Sequence, residues 1–558
     1  RDDAPRQALD DGGLADARLA HQDRVVLLAP RQHLDHAPDL VVAPDDRVEL
    51  ALAGPGRQVD GVFLQHPVLL LGLGVGHALA AAHVLQGQKE PVPRHARLPQ
   101  QVRAVALLRV QHRQAKVTIA LLVMSAFFWA SGAIPIGITA LIVGLVLYFF
   151  NIFKPDDVAQ AYGKDSVIFI FGILALAIAI HKTGLDRRIG VLLMKPSKSL
   201  FGYLFLFLPL MGIACSFLSE HALVAFMMPI LMVVYAATTS ESGIKEDPAF
   251  AILLVLSLNF AANLGGPGSP AAGGRNSVML GILADYGGAP SFGEWVVMGL
   301  PFVPVAAISV GVYFFFACYR KMKIRKVNFS TIVTQASKKI GPMTKNEYFT
   351  AVILVVLITL WIISGEEGAW GMGGPVLLAL IALNVLGILT WRDVSKIQWE
   401  VVALYAGATA LGSAIASTGA ALYLADAFVS VMPDFMKSGA GLAIASSFIT
   451  GIITNFMSDG ATVASIGPIT VPMATISGTS AWAVGLATAF ASSFAHMFLP
   501  GTPNNAIVYA LAKNPITGER VMTLGDLAKH GFFVLLISFV VLWVWIIVVY
   551  WGMVLKLF

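Results

Sequence analysis

Two ionisable residues, Glu220 and His221, stand side by side in the stretch FLSEHALVAFMMPI (217–230), where nearly every other residue is apolar. A charged side chain at the depth of a lipid bilayer costs roughly 2.5–3.5 kcal/mol on insertion scales unless it faces protein or water. A carboxylate can hold a cation or a proton, and an imidazole changes its charge in the physiological pH range. We therefore interpret the pair as part of a polar site inside an apolar protein.

A second stretch, FMSDGATVASIGPI (456–469), repeats the first at a constant offset of 239 residues. In it, Asp459 stands at the position of Glu220 and Gly460 at that of His221. The identical pairs include Phe217/Phe456, Ser219/Ser458, Ala222/Ala461, Val224/Val463, Ala225/Ala464 and Pro229/Pro468. The repeat continues upstream, where 178–189 answers 413–424, and downstream, where GGPGSPAAGGRN (265–276) answers FLPGTPNN (498–505). Two carboxylates thus occupy matching positions of an internal repeat.

The composition indicates a protein that crosses a membrane many times. Of the 558 residues, 57% are hydrophobic and 13% are charged, and the mean hydropathy is +0.75. An ordinary soluble domain carries about 25% charged residues. The two cysteines, Cys215 and Cys318, each lie in an apolar run, which excludes a disulfide framework and a dense cysteine metal site.

Residues 1–113 differ from the rest of the chain. Up to Lys116 there is no Ser, Thr, Ile, Asn, Met, Tyr, Trp or Cys, whereas eight of the twelve histidines fall there. Our hypothesis is that this segment is a mistranslated or wrongly joined upstream region rather than an evolved domain. The alternative is a disordered extension rich in Arg and His, or a divergent first span. Peptides recovered from the segment by mass mapping of the native protein would contradict the hypothesis.

The remaining chain is predicted to be all helical, because its apolar segments match the about 20 helical residues that cross about 30 Å of hydrocarbon. Two apolar stretches, about 199–238 and 438–475, are broken by polar residues or glycine and are predicted to be re-entrant hairpins. Irregular backbone at that depth is tolerated only inside protein or beside a watery cavity. The predicted spans are 117–131, 134–152, 165–182, 250–284, 292–318, 348–364, 373–390, 399–417, 481–512 and 526–554.

Charge placement predicts that the two repeats are inverted. If each hairpin enters and leaves on one side, the loops of one face hold 19 of the 24 Lys and Arg after residue 116. By the positive-inside rule that face is cytoplasmic. We therefore expect a first repeat over 114–318, a basic cytoplasmic loop over 319–346 and a second, inverted repeat over 347–558. Inverted repeats with interrupted helices are typical of secondary transporters whose site lies at the repeat interface.

The helix breaks can themselves hold ions. Ser219 and Ser458 stand where a helix restarts and an N-cap oxygen is wanted, and capping alone would explain both serines. The Gly- and Pro-rich stretches 264–276 and 498–505 are predicted to unwind and free carbonyls that can coordinate sodium. Plain flexible kinks would explain these stretches as well.

The hairpin tips, together with GGPGSPAAGGRN, GTPNNAIV (501–508) and SGAIPIGITAL (131–141), resemble the divalent-anion/sodium symporter family. The resemblance covers 117–558. It implies sodium-coupled transport of dicarboxylates, citrate or sulfate, and a scaffold domain that dimerises. It also implies an elevator-type movement of a domain that carries both hairpins.

In that family each hairpin tip reads Ser-Asn-Thr and contacts the substrate carboxylates and a sodium ion. In this chain the tips read Ser219, Glu220, His221 and Ser458, Asp459, Gly460. A further sodium contributor four residues before each tip serine corresponds to Cys215 and Thr454. The family's Gly-Thr-Pro-Pro-Asn becomes AGGRN (272–276) and GTPNN (501–505), so the second repeat lies closer to the family pattern.

The residues that differ from the family pattern introduce charge into the site. Glu220 and Asp459 replace neutral asparagines, and close carboxylates resist double ionisation, which would suit proton coupling, a tighter cation site or a substrate with an ammonium group. Arg275 and a protonated His221 can compensate, since Arg binds carboxylate or sulfate in a planar fork. The alternative is a buried structural network, Glu220 with His221 and Asp459 with Arg275, that takes no part in transport.

The sequence therefore predicts an all-α polytopic membrane protein with about ten spans and two hairpins, acting as a secondary transporter of a small anion coupled to sodium or protons. The alternative hypothesis is a cation/proton antiporter or ion channel that uses Glu220 and Asp459. An intramembrane enzyme using Ser219 and His221 is disfavoured, because adjacent residues on a helix point about 100° apart.

We expect substrate contacts and sodium contacts from two overlapping sets of residues, and no catalytic residue, cofactor or nucleic-acid partner. The expected partners are a small anion, sodium or a proton, the lipid bilayer of a bacterial inner membrane, and a second copy in a homodimer. The predicted substrate-binding residues are Ser219, Glu220, His221, Ser458, Asp459, Gly460, Arg275, Asn276, Thr502, Pro503 and Asn505. The predicted sodium-binding residues are Ser219, Glu220, Gly265, Gly266, Thr454, Asp459 and Gly501.

Overall fold

The computed structural model describes residues 113–324, 327, 329–363 and 370–558. All of them fall in one compact unit, Gly76–Phe558. Apart from Arg113, the anomalous segment predicted at 1–113 lies outside the described residues. Within those residues the regular structure is helical, with one isolated antiparallel bridge between Lys513 and Arg520.

The first half of the described chain runs from the first span to the helix before the basic loop. Its helices are α1 (Arg113–Ser131), α2 (Ile136–Phe149), α3 (Pro155–Tyr162), α4 (Asp165–Thr183), α5 (Leu185–Met194), α6 (Leu200–Cys215), α7 (Glu220–Glu241), α8 (Pro248–Asn263), α9 (Gly274–Leu283), α10 (Phe292–Gly299) and α11 (Phe302–Cys318).

A short amphipathic helix in the predicted basic loop, α12, connects the halves, and the second half repeats the order of the first. These helices are α12 (Phe329–Ile340), α13 (Lys345–Ile363), α14 (Gly373–Val385), α15 (Trp391–Val394), α16 (Trp399–Thr418), α17 (Ala420–Val431), α18 (Gly439–Ile453), α19 (Asp459–Ser477), α20 (Ala481–Ser492), α21 (Pro503–Leu511) and α22 (Leu524–Val554).

Eight helical segments among the described residues are long and apolar enough to cross a membrane. Two predicted spans are shorter than expected: α2 has 14 residues and α14 has 13. At 1.5 Å per residue these helices reach only about 20 Å. Local backbone signals end them, because Pro135 precedes α2 and Asn151 follows it with a positive φ of 51°, while Gly387 follows α14 with a φ of 70°.

Both predicted hairpins are present. The first consists of α6 and α7, which end and begin around the tip at Ser219, and the second consists of α18 and α19 around the tip at Ser458. In each hairpin the two helices pack against each other. The tips are short, since only residues 216–219 and 454–458 lie outside helix.

Both predicted interrupted helices are present as well. The first break separates α8 from α9 and contains two short 3-10 turns, Gly266–Gly268 and Pro270–Ala272. The second separates α20 from α21 and contains the 3-10 turn Leu499–Gly501. Helix α21 restarts at Pro503, where the missing N–H of proline costs no hydrogen bond.

The predicted span 292–318 is divided in two. Leu300 and Pro301 separate α10 from α11, and Ser291 with Glu294 forms a capping box that starts α10. The sequence pattern did not reveal this division, because both pieces are apolar and the dividing residues are few. The short α10 packs its last turn against the first unwound segment.

Two ion pairs tie the helix ends together outside the hairpins. Arg188 on α5 contacts Glu347 on α13 through two parallel bonds of 3.0 Å. Lys182 at the end of α4 donates to Asp393 at 2.6 Å. Together with Thr390, this ammonium group holds the pKa of the Asp393 carboxyl well below its usual range.

Alanine substitutions at two glycines of α10 test how tightly this helix packs on the first unwound segment. A Cβ on Gly299 would overlap the backbone carbonyl of Pro267, whereas a Cβ on Gly293 meets nothing within 4 Å. We expect Gly299→Ala to destabilise the protein by about 1–3 kcal/mol, because a backbone group cannot give way cheaply. Gly293→Ala on the same helix should leave the unfolding temperature in detergent the same or slightly higher, and equal effects would contradict this packing.

Candidate functional site

The hairpin tips are built as helix N-caps. The Ser219 hydroxyl accepts a hydrogen bond from the Ala222 amide at 3.4 Å, and the Ser458 hydroxyl accepts one from the Ala461 amide at 3.4 Å. Each serine thereby satisfies one of the free amides of a restarting helix. The two tips therefore have the same local construction in both repeats, and the predicted capping role is observed.

A buried guanidinium joins the two hairpins. The Nη1 atom of Arg275 lies 3.4 Å from the Glu220 carboxylate of the first hairpin. The same atom donates a short hydrogen bond to the Asp459 carboxylate of the second. Arg275 is 3% exposed and Glu220 is 3% exposed. The carboxylates of both tips therefore meet at one cation, although they are 239 residues apart in sequence.

Glycines make room for this cation. A Cβ on Gly266 would overlap the Arg275 Nη2 atom, and a Cβ on Gly273 would lie 2.9 Å from its Nη1 atom. Any larger residue at these two positions would displace the guanidinium. The Gly-rich first break thus serves to admit the arginine as well as to unwind the helix.

His221 makes its main contact with the other repeat. Its Nδ1 atom lies 2.7 Å from the Asn504 side-chain oxygen, to which it donates, and 4.0 Å from Glu220. The Asn504 amide in turn donates to Asn263 at 2.8 Å. The unwound helix of each repeat thus contributes one residue to the opposite hairpin: Arg275 binds Asp459, and Asn504 binds His221.

Two asparagines hold the unwound segments by the same pattern of bonds. The Asn276 amide donates to the carbonyls of Gly266 at 2.9 Å and Ser269 at 2.8 Å. The Asn505 amide donates to the carbonyls of Ala495 at 2.9 Å and Phe498 at 2.7 Å. Donors and acceptors match between repeats at one offset of 229 residues. Each asparagine therefore replaces helix hydrogen bonds that the break removes.

Ser216 and Asn455 stand at matching positions of the two repeats, and each links a hairpin to the unwound segment of the same repeat. The Ser216 hydroxyl donates to the Gly212 and Gly265 carbonyls at 3.1 and 2.9 Å. At the matching position the Asn455 amide donates to the Gly451 and Phe494 carbonyls at 2.7 and 3.2 Å. The geometry is thus conserved between the repeats where the side chains are not.

Two of the three predicted sodium contributors of the second repeat, Thr454 and Gly501, lie together, while the third, Asp459, contacts Arg275. The Thr454 hydroxyl donates to the Ser492 carbonyl at 2.7 Å, which leaves its oxygen lone pairs free. The Thr454 carbonyl oxygen would lie 2.7 Å from a Cβ on Gly501. These oxygens belong to the donor class that hard cations prefer. In the first repeat the matching residue, Cys215, offers no hydroxyl.

A tyrosine from outside the hairpins packs on the site. Tyr405 on α16 abuts Gly274 at the start of α9 and would lie 2.7 Å from a Cβ on Gly460 at the second tip. It is 6% exposed. The aromatic ring therefore closes one side of the cluster, and both glycines allow it to approach the backbone closely.

Several buried atoms of the site have no hydrogen-bond partner among the described residues. They include Nε and Nη2 of Arg275, Oε2 of Glu220, the Ser493 hydroxyl and the Asn263 amide nitrogen. Buried polar groups are otherwise almost always paired. The unused Nε and Nη2 atoms form one edge of the guanidinium, the edge that binds planar anions bidentately.

The predicted site residues fall into three connected groups. Glu220, His221, Arg275 and Asp459 form the charged cluster, bounded by Ser219, Ser458 and Gly460 at the tips. Thr502 and Pro503 start α21 beside Asn504, and Asn276 and Asn505 brace the breaks together with Gly265 and Gly266. Thr454 and Gly501 lie together behind the second tip. Ser219 and His221 do not form a nucleophile and base pair, since their polar atoms bond elsewhere.

Sequence reasoning missed Asn504 and Tyr405 as parts of the cluster. The sequence did contain a signal for Asn504, which stands next to the predicted Asn505. It also contained one for Asn259 and Asn263, which are polar residues four apart on the apolar α8. The Asn259 amide donates to Asn505 at 2.7 Å. Tyr405 carried none, because nothing near it in the sequence marks its contact with two distant glycines.

Comparison with known proteins gives a consistent picture. Residues 106–557 match the family model described as the sodium:sulfate symporter transmembrane region, which spans every described helix. The sodium-dependent dicarboxylate transporter SdcS of Staphylococcus aureus is 26% identical over 464 residues, covering 78% of this chain and 85% of that protein. The same figures hold for this transporter in several strains.

Among solved structures, the fold is similar to that of MtrF from Neisseria gonorrhoeae, described as illuminating a class of antimetabolite efflux pumps. The TM-score is 0.51 at 13% identity, over 78% of this chain and 95% of MtrF. The YdaH transporter of Alcanivorax borkumensis gives a TM-score of 0.47 at 13% identity, over 78% of this chain and 98% of YdaH.

The matched asparagines provide a test of how the breaks are stabilised. We expect Asn276→Asp and Asn505→Asp each to destabilise the protein by at least about 2 kcal/mol, because two buried carbonyls lose their donor at about 1–3 kcal/mol each. Thermal unfolding in detergent measures this loss. The control is Asn346→Asp in the exposed first turn of α13, where a negative charge is tolerated. A loss no greater than the control would contradict the bracing role.

Proposed function

We propose, from the premise that this chain belongs to the sodium:sulfate symporter family, that it is a secondary active transporter. In this proposal it moves a small anion across a membrane together with sodium ions, and the anion binds between the two hairpin tips. The observation that carries the proposal is the meeting of both tips at Arg275. The family consists of transporters rather than enzymes.

The anion is recognised by the unused edge of Arg275. The Nε and Nη2 atoms of Arg275 are buried and without a partner among the described residues. Two parallel N–H donors match the spacing of oxygens in a carboxylate or sulfate. The restarted helices at Ser219 and Ser458 add the partial positive charge of helix N-termini. A dicarboxylate or sulfate is the substrate class that fits, in agreement with the names of the family and of the Staphylococcus aureus relative.

Sodium is the proposed coupling ion because the site itself is negatively charged. Glu220 and Asp459 against Arg275 leave one net negative charge when His221 is neutral, and a bound anion adds to it. Cations must enter to compensate, since unpaired buried charge is costly. The proposed sodium ligands are Ser219, Glu220, Gly265 and Gly266 at the first tip and Thr454, Asp459 and Gly501 at the second.

Protons are the second candidate for the coupling ion. Glu220 and Asp459 share one cation and stand where the family has neutral asparagines, so either can carry a proton during transport. The charged and titratable groups that face them are Arg275, His221, Tyr405 and, beside Glu220, Cys215. A cation/proton antiporter that moves no anion would use the same two carboxylates.

We further propose the elevator movement and the homodimer that the family resemblance implies. The mobile body would contain both hairpins and both interrupted helices, and Tyr405 on α16 would mark its boundary with the scaffold. The proposed location is a bacterial inner membrane. The proposed repeat boundaries remain 114–318 and 347–558, joined by the loop 319–346.

Transport by the purified protein in liposomes tests the function directly. Uptake of labelled succinate, citrate and sulfate is measured with an inward gradient of sodium, of protons or of neither, with potassium as the replacement cation. Sodium-driven accumulation of one of these anions supports the proposal. Cation flux that no anion affects would replace it with the antiporter or channel reading.

The first mutational prediction concerns anion binding. Arg275→Gln should raise the KM for the transported anion by about tenfold to a hundredfold, because a charge-assisted hydrogen bond contributes about 1.5–3 kcal/mol. Arg275→Lys, which keeps the charge without the fork, should fall between the wild type and the Gln variant. Arg188→Gln removes a paired arginine outside the site and should leave KM unchanged. A wild-type KM in Arg275→Gln would exclude the assigned role.

The second mutational prediction separates the two coupling ions. In the double variant Glu220→Asn with Asp459→Asn, loss of two sodium ligands should raise the sodium concentration for half-maximal uptake by about tenfold or more. If protons are the coupling ion, the variant instead loses the pH dependence of uptake while its sodium response stays that of the wild type. Uptake is measured across sodium concentrations at two pH values.

A further inference from the structure

The charged cluster supplies counter-charges for its own cation. Arg275 is 3% exposed, and its Nη1 atom contacts one carboxylate from each hairpin. A buried guanidinium without a counter-charge is strongly unfavourable. The two carboxylates therefore supply the negative charge that this cation needs when the site holds no anion.

The two carboxylates come from the two hairpins, so the neutralisation of Arg275 depends on the closure of both hairpins. Glu220 is the first residue of α7, directly after the first tip, and Asp459 is the first residue of α19, directly after the second. Either carboxylate is withdrawn from Arg275 if its hairpin moves away. The pairs are therefore complete only when both tips close on the unwound helix that carries Arg275.

A bound anion and the two carboxylates would both interact with Arg275. A carboxylate or sulfate on the Nε and Nη2 edge would bring negative charge against Glu220 and Asp459, and like charges at that distance repel. An occupied site needs coupling cations to relieve this repulsion. An empty site carries only the one net negative charge that Glu220 and Asp459 leave against Arg275, so it needs fewer coupling cations than an occupied site.

The second repeat lacks this arrangement. Asn504 occupies the position of Arg275 at the 229-residue offset, and its side chain is neutral. It contacts His221 and Asn263 through ordinary hydrogen bonds of 2.7 and 2.8 Å. The cluster therefore contains one fixed cation, and both carboxylates are directed to it.

We infer that Glu220 and Asp459 take the place of the substrate's negative charge on Arg275 when the site is empty. The empty carrier can then close both hairpins and return across the membrane. This inference rests on the proposed anion transport and names its mode: net uptake with an empty return step, as opposed to obligatory exchange of one anion for another. Without the carboxylates, the closed empty site would hold an unpaired buried cation.

Two modes of flux in liposomes containing the full chain test the inference, with succinate and sulfate as probes. Net uptake is measured into liposomes without internal anion, and exchange into liposomes preloaded with the same anion. Sodium is saturating and equal on both sides, so that an altered sodium affinity does not affect the comparison. The readout is the ratio of net uptake to exchange, because only net uptake includes the empty return.

We expect the double variant Glu220→Gln with Asp459→Asn to lower this ratio by at least about tenfold relative to the wild type, since its empty site leaves Arg275 unpaired. Each single variant should lower the ratio less. The control Glu347→Gln breaks a part-buried ion pair with Arg188 outside the site and should keep the wild-type ratio. Single variants also provide the test if the double variant does not fold.

A thermal-shift measurement in detergent checks the same idea without transport. Arg275 should bind the probe anion more tightly when one of its two carboxylates is removed, so the single variant Asp459→Asn should show a larger succinate- or sulfate-induced rise in unfolding temperature than the wild type. A ratio within about twofold of the wild type in every carboxylate variant, or exchange without net uptake in the wild type, would overturn the inference. Absence of flux of either anion in both modes for the wild type would instead refute the proposed function.

Discussion

The site depends on one interaction, the contact of a buried guanidinium with carboxylates from two opposite hairpins. Burying an ion pair rarely stabilises a protein relative to apolar residues of the same size, whereas removing one partner from a buried pair is strongly destabilising. Arg275, Glu220 and Asp459 are therefore poorly explained by stability alone. They make the position of each hairpin tip a condition for neutralising one cation, which links the two halves of the molecule energetically.

This cluster can form only because the backbone around it is broken and yet satisfied. In an apolar environment each unpaired backbone group costs several kcal/mol, so a helix can unwind only where other donors take over. Asn276 and Asn505 supply those donors at equivalent positions of the two breaks. Ser216 and Asn455 tie the hairpins to the same breaks with different side chains. The requirement for donors is thus shared by the repeats, while the residues that meet it have diverged.

Much of this architecture could be predicted from the sequence, because hairpins, breaks and caps are local features that recur at a fixed offset. The family prediction is confirmed, and the capping of α7 by Ser219 is observed. What escaped prediction depends on contacts between distant segments or on few residues. Pro301 divides an apolar span without changing its hydropathy, and the ring of Tyr405 finds its two glycines only in the folded chain. Asn504 was adjacent to a predicted residue, but its partnership with His221 crosses 283 positions.

The two repeats share their geometry but differ in charge, and the first repeat carries more ionisable residues than the second. In the first repeat, Arg275, Glu220 and His221 are all ionisable, and Cys215 lacks the hydroxyl that Thr454 retains in the second. Fixed charge is therefore concentrated in the first repeat, while neutral oxygen donors of the kind that hold a cation remain in the second. In the proposed function, a cation that enters the second repeat offsets the one net negative charge of the cluster, whereas an anion on the free edge of Arg275 adds negative charge beside Glu220 and Asp459. Anion binding is thus expected to need the cation, because the cation offsets the repulsion between the anion and the two carboxylates.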